Sequence, residues 1–169
     1  MKPLESITLR YNPDEDRILA VVNAGTARAQ GYWLTRRMAL NVIDAVVPYM
    51  ERLSPVANKT PLEHRSELAT MEREVAIAST QQSVSCTPDD IVANLGDEAE
   101  LAREITIAVE GEGLRLILRG RGGSDSTGVW ARALVQRVIH ELEQQVIGAG
   151  WRAQAQLQPV DAQQTRRPN

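Results

Sequence analysis

The sequence predicts an α+β fold: an antiparallel sheet built from two pseudo-repeated β-hairpin–helix units, with the long helices packed on one face and a helical insertion between the units. Three observations predict it. Residues 7–53 and 105–151 read in the same order, as a hairpin, a glycine-containing loop, a tryptophan and an amphipathic helix. Ile7-Thr8-Leu9 answers to Ile105-Thr106-Ile107, and Gly31-Tyr32-Trp33 to Gly128-Val129-Trp130. Met38, Ala39, Val42, Ile43, Val46 and Met50 answer to Leu134, Val135, Val138, Ile139, Leu142 and Val146. Duplicated half-units commonly cover each other's apolar faces. The expected organisation is one domain over 1–152, with unit one at 5–53, the insertion at 60–96, unit two at 101–151 and a disordered tail at 153–169.

Each element has a local reason. Ile7, Leu9 and Tyr11 alternate with Thr8 and Arg10, the period of a half-buried strand. Asn12-Pro13-Asp14-Glu15-Asp16 is turn chemistry, since Pro fixes φ and Asn/Asp side chains bond their own backbone. Ile18 to Val22 is apolar almost throughout and reads as a central strand. Gln30 to Leu34 is a third strand. Thr35 then caps a helix running to about Leu53, with Pro48 inside it as a source of a kink.

The insertion opens at Thr60-Pro61-Leu62-Glu63, a cap, a proline and an acid in the first turn, and runs as a helix to about Gln82. Leu68, Met71, Val75 and Ala78 form its expected buried side. Thr87-Pro88-Asp89-Asp90 opens a second short helix ending at Gly96. In unit two, Leu101, Arg103, Ile105, Ile107 and Val109 share one face of a strand. Gly111-Glu112-Gly113 turns it, and Leu114, Leu116 and Leu118 alternate along the return strand. Residues 120–128 read as a loop, and a helix follows from about Ser126 to Ile147. The face of that helix carrying Leu134, Val138, Leu142 and Val146 is a candidate for self-association into a homo-oligomer.

Composition excludes several classes. The chain has 169 residues, a net charge of -3 and a single cysteine, Cys86, which rules out an internal disulfide. No apolar run approaches the ~20 residues needed to cross a bilayer, and no signal-peptide pattern opens the chain, so the expected location is the cytoplasm. Aromatics are 4% with no Phe, which leaves few stacking platforms for single-stranded nucleic acid. Charge is uneven: residues 51–104 carry eleven acids against five bases, whereas 105–169 carry eight bases against six acids.

No catalytic or metal-binding set emerges, so no catalytic residue, metal or cofactor is expected. His140 and Glu143 make one helix-face pair, short of the three or four ligands of a zinc site. Asn12, Asp14 and Asp16 begin like a calcium loop, but Arg17 stands where glycine is needed. The most suggestive segment is Arg119-Gly120-Arg121-Gly122-Gly123-Ser124-Asp125, whose backbone N–H groups can cradle an anion. It lacks the Gly-Lys-Ser/Thr ending of a phosphate loop. Arg36 and Arg37, with Arg132 and Arg137 on the corresponding helix, offer a second basic surface. Candidate contact residues are therefore Arg36, Arg37, Arg119, Arg121, Gly122, Gly123 and Ser124.

The expected function is that of a non-enzymatic protein-interaction or assembly protein, a bacterial or phage adaptor or accessory subunit. The alternatives are a nucleic-acid-associated protein using the arginine-rich loop and helix faces, and a binder of a small anionic ligand at the glycine-rich loop.

Overall fold

In the computed structural model, which describes residues 1–80, 95 and 97–152, the chain is α+β, with a seven-stranded mixed sheet. The strands are β1 (Lys2–Pro3), β2 (Ile7–Asn12), β3 (Arg17–Val22), β4 (Gln30–Thr35), β5 (Glu100–Glu110), β6 (Gly113–Gly120) and β7 (Asp125–Trp130). The long helices are α1 (Arg36–Arg52), α2 (Arg65–Thr80) and α3 (Arg132–Gly148). Two short 3-10 turns, Ala57–Lys59 and Leu62–His64, lead into α2. Three strands followed by a long helix thus occur twice in chain order.

The strand order is β1-β7-β6-β5-β4-β3-β2. The sheet is not purely antiparallel: β4 runs parallel to β5, and β1 parallel to β7. Both pairings join segments distant in sequence, which side-chain periodicity does not report. As expected of an apolar strand, β3 is central, with Ile18, Leu19, Ala20, Val21 and Val22 all buried.

The sheet is strongly curled. A flat seven-stranded sheet would separate its outer strands by about 29 Å at ~4.8 Å per spacing. Here β1, at one end, connects to β2, at the other, through Leu4-Glu5-Ser6. From Pro3 to Ile7 the chain reaches at most about 14 Å. Asn23 locks this closure: its Oδ1 accepts from Glu5 N–H (2.9 Å) and Ser6 N–H (3.2 Å), and its Nδ2 donates to the Pro3 carbonyl (2.6 Å). Asn23 sits at φ 52, the left-handed region that Asn tolerates better than most residues. On the β7 side, Leu4 N–H donates to Thr127 O (2.7 Å) and Trp130 Nε1 donates to Leu4 O (2.8 Å). Inside the curl, the Tyr32 hydroxyl and Ser126 Oγ bond at 2.8 Å.

The main core lies inside the curl. Ile18, Ala20, Val22, Tyr32 and Leu34 meet Leu114, Leu116, Leu118 and Trp130, beneath Ala39, Ile43, Val46 and Met50 of α1 and Val135, Ile139, Leu142 and Val146 of α3. A smaller cluster lies on the opposite face, where Leu19, Val21 and Trp33 pack with Leu95 and Ala99. Trp33 and Trp130, aligned in the sequence, therefore face opposite sides of the sheet. Gly31 permits this cover, because a Cβ there would lie 2.7 Å from the Ala99 Cβ.

Several sequence expectations are corrected. Residues 125–130 form a strand, not loop and helix; α3 begins at Arg132 after Ala131, which makes no side-chain cap. In β5 the register shifts between Ala102 and Glu104. This resets the face, so that Ala102 is buried together with the core side of Ile105 and Ile107, while Arg103 is exposed. Thr60 does not cap α2; its hydroxyl donates to Val56 O (3.0 Å). The buried side of α2 is Ala69 and Ala76, while Met71 and Val75 stand in solvent at 60% and 67% exposure. Small alanines let α2 approach α3 closely, and ion pairs Arg73–Glu143 and Glu72–Arg132 (2.9 Å) join that seam. The face of α3 proposed for association is used internally: Leu142 and Val146 are buried, and Leu134 and Val138 pack against the core. Thr35 does cap α1, accepting from Met38 N–H (3.3 Å), and α1 runs on past Pro48 to Arg52. The expected helix at 87–96 falls mostly, and Cys86 and the tail at 153–169 entirely, outside the described residues.

Candidate functional site

The parallel contact between β4 and β5 is brief. It comprises Tyr32 opposite Glu100 and Trp33 opposite Leu101. Beyond that point β4 ends in α1, while β5 continues for nine residues paired only with β6 among the described residues. A groove of about 730 Å³ opens in this fork, within the size range of ligand pockets. Its helical wall is Met38, Asn41, Val42, Ala45, Tyr49 and Arg52 of α1, positions spaced to share one helix face. Its floor is β5 from Leu101 to Ile107.

The groove lining mixes apolar side chains such as Met38, Val42, Ala45 and Ile105 with Thr35, Asn41 and Thr106, and it is rich in cations. Arg37, Arg52, Arg103 and Arg121 line it, with Glu104 the one acid among the lining residues. Glu104 is already engaged, since Arg119 Nη1 lies 2.9 Å from its Oε2. Among the described residues, none of the four lining arginines has a carboxylate within ion-pair distance. Arg52 lies over the Tyr49 ring at 6.0 Å, a cation–π geometry. Hydrogen bonding to Arg119, then to Thr106, holds the Glu104 carboxyl below its ordinary range.

Next to the groove, the glycine-rich loop already cradles an anion, and it is the protein's own. The Glu100 carboxylate accepts from Ser124 Oγ and, at 3.4 Å, from Ser124 N–H. A Cβ on Gly120 would overlap that carboxylate, and one on Gly122 would lie 2.7 Å from its carbon. The Ser124 hydroxyl bond foremost, with backbone N–H groups of Ser124 and Gly122, holds the Glu100 carboxyl below its ordinary value, against the opposing effect of burial. A side chain at position 120 or 122 would therefore have to displace the Glu100 carboxylate from its place against the loop, a constraint set twenty or more residues upstream that local sequence patterns do not signal.

The predicted site residues scatter accordingly. Arg37 and Arg121 converge on the groove. Arg121 is anchored through its backbone N–H to Leu101 O (2.9 Å). Arg36 turns away, reaching Trp151 O (3.4 Å). Arg119 is spent on Glu104 and on Asp125 (3.6 Å). Gly122 and Ser124 enclose Glu100, and Gly123 takes φ 99. Arg132 is structural, donating to Leu53 O (2.9 Å) and Met50 O (3.1 Å) at the end of α1, and Arg137 pairs with Glu141. Sequence reading missed Arg52, Arg103 and Tyr49. The helical spacing of Met38, Val42, Ala45, Tyr49 and Arg52 marks a second stripe beside the buried one, a signal that was available.

The other candidates resolve as structure. Asp16 accepts from Tyr11 Oη (2.9 Å) and Trp151 Nε1 (3.0 Å), tying the first turn to the end of α3. His140 Nδ1 lies 3.8 Å from Glu143, whose main partner is Arg73. Among the described residues, no group of three His, Cys, Asp or Glu is placed to hold a metal, and no helix is long and apolar enough to cross a membrane. No protein family, curated protein or solved structure matches the chain.

Proposed function

We propose that this chain is a non-enzymatic protein-interaction or assembly protein, an adaptor or accessory subunit of a bacterium or phage acting in the cytoplasm. The observation that carries the reading is the groove between α1 and β5: a helix wall bearing Met38, Val42, Ala45 and Tyr49, a strand edge that no described strand covers, and four arginines with no carboxylate partner among the described residues. Native proteins usually cover or blunt a strand edge, and an arginine-rich, partly apolar cleft is the composition of a protein-binding surface. The exposed Leu62, Met71 and Val75 support association as well. The two strand–strand–strand–helix runs are read as diverged copies of one unit, of which the second copy's strand supplies the docking edge.

A peptide-display library selected on the immobilised protein tests this, with Arg37→Glu/Arg121→Glu as the counter-selection. Enrichment of peptides that the variant no longer retains is the expected result. A library that yields no groove-dependent peptide overturns it. The second reading, a nucleic-acid or small-anion site, is favoured by the convergence of Arg37 and Arg121 on one groove. It predicts oligonucleotide binding that weakens steeply with salt, or a melting shift with nucleotides and phosphosugars.

A further inference from the structure

We infer that the groove takes an extended acidic–apolar peptide segment of a partner protein, which adds as a strand to the edge of β5 that no described strand covers. This rests on the protein-interaction reading and specifies its occupant.

Backbone supply is the first ground. From Ala102 to Glu110, β5 bonds β6 on one side, while no described strand pairs with its other side. In an antiparallel ladder each residue directs its N–H and C=O to one side, in alternation along the strand. About half the residues of this stretch therefore direct backbone groups to the side that no described strand pairs, and those up to Ile107 line the groove. Strand addition satisfies such groups with the partner's main chain and leaves specificity to alternate side chains. The floor from Ala102 to Ile107 is about 17 Å long, room for five or six extended residues.

Side-chain chemistry is the second ground. One face of an added strand meets Met38, Val42, Ala45 and Tyr49 from α1, with Asn41 the one uncharged polar side chain among them, and selects mainly apolar residues. Alternate residues of the same strand face the rim, where Arg37, Arg103 and Arg121 select Asp or Glu. The complementarity is specific to this groove, because the chain as a whole carries a net charge of -3. A basic peptide would meet four like charges. A helical peptide would leave the β5 edge unpaired.

The test uses the full chain and a fluorescein-labelled peptide of sequence Asp-Val-Glu-Ile-Asp-Val, read by anisotropy. The expected result is saturable binding that falls at least tenfold in Arg37→Glu/Arg121→Glu, whose sites are solvent-exposed. The counterpart with Lys and Arg in place of the acids binds at least tenfold more weakly. The decisive arm uses backbone N-methylation. Methylating alternate residues in one register removes the donors that pair with β5 and costs at least tenfold; the other register leaves affinity within twofold. Amide exchange slows on binding at outward-facing positions between Arg103 and Glu110. Equal effects of the two registers, no peptide binding, or preference for an oligonucleotide overturns the inference. So does a dimer of the free chain that dissociates on Arg37→Glu/Arg121→Glu, since a second copy then fills the groove. If displayed peptides depend on the groove arginines but are neither acidic nor register-sensitive, this inference fails while the interaction reading stands.

Discussion

Asn23 offers the sharpest test of the curled sheet. Its side chain makes three bonds to the segment joining the two ends of the sheet, and it is 1% exposed. At about 1 kcal/mol net per bond, removing the side chain costs roughly 3 kcal/mol. Asn23→Gly adds about 0.5–1 kcal/mol of unfolded-state entropy. Asn23→Ala avoids that entropy but must hold φ 52, which costs about 1–2 kcal/mol. The expected losses are therefore near 3.7 kcal/mol for Gly and 4.5 kcal/mol for Ala, a large part of a ~5–15 kcal/mol stability. Urea unfolding followed by circular dichroism measures both, with unchanged m-values required for the comparison. Amide exchange at Glu5 and Ser6 should accelerate in both variants.

Asn23→Asp separates hydrogen bonding from packing. It keeps the acceptor for Glu5 and Ser6 but turns an oxygen toward the Pro3 carbonyl. Protonation restores that contact, so the folded state favours the neutral acid, and the variant should gain stability relative to wild type as pH falls. Losses below 1 kcal/mol for both Gly and Ala, or an Asp variant that does not recover in acid, would refute the closure argument.

Three further outcomes follow from the glycine-rich loop and the end of α1. Gly120→Ala should lose about 1–3 kcal/mol through overpacking against Glu100, and adding Glu100→Ala should recover more than half of it in a double-mutant cycle. Glu100 has a depressed folded-state pKa, so its stabilisation is present above its unfolded value of 4.5 and is lost as pH falls through the folded value; melting between about pH 5 and 3 should fall less steeply in Glu100→Gln than in wild type. Arg132→Ala should cost about 3 kcal/mol by uncapping α1 and leaving half-buried Glu72 without its guanidinium. Arg132→Lys should recover less than half, because one ammonium cannot span two carbonyls and a carboxylate as the guanidinium fork does; equal melting of the Ala and Lys variants would remove that geometric claim.

Much of this architecture was legible because it is local. The alternation at Leu114, Leu116 and Leu118, the unbroken apolar run of β3 and the Thr35 cap all act over a few residues, and each holds in the fold. What was not legible is non-local. Asp125–Trp130 contains Gly128, Ser126 and Thr127, and forms a strand because β6 and the N-terminal segment pair with it from both sides. The face of α2 was misread because its contacts are made by Ala69 and Ala76 with charged neighbours, while the larger Met71 and Val75 stay outside. One inserted register step at Arg103 was enough to invert the expected faces at the start of β5.

The distribution of arginines links fold to proposed site. Arg132 caps a helix, Arg73 neutralises Glu143 across the α2–α3 seam, and Arg119 and Arg115 pair with Glu104 and Glu110 on the same sheet. Each of these cations is matched to an acid or a carbonyl, so folding accounts for it. Arg37, Arg52, Arg103 and Arg121 come from three separate elements, and folding brings them to one groove without giving them acidic partners among the described residues. Gathering four like charges raises the free energy of the folded chain, modestly at this exposure. Nothing in the stability of the sheet requires it, since the groove lies where β4 and β5 have already parted. Among the described residues, this cluster has no acidic partner and lies beside a strand edge that no strand covers, so folding alone gives it no evident role. For the same reason it is where a partner's carboxylates and backbone have most to contribute.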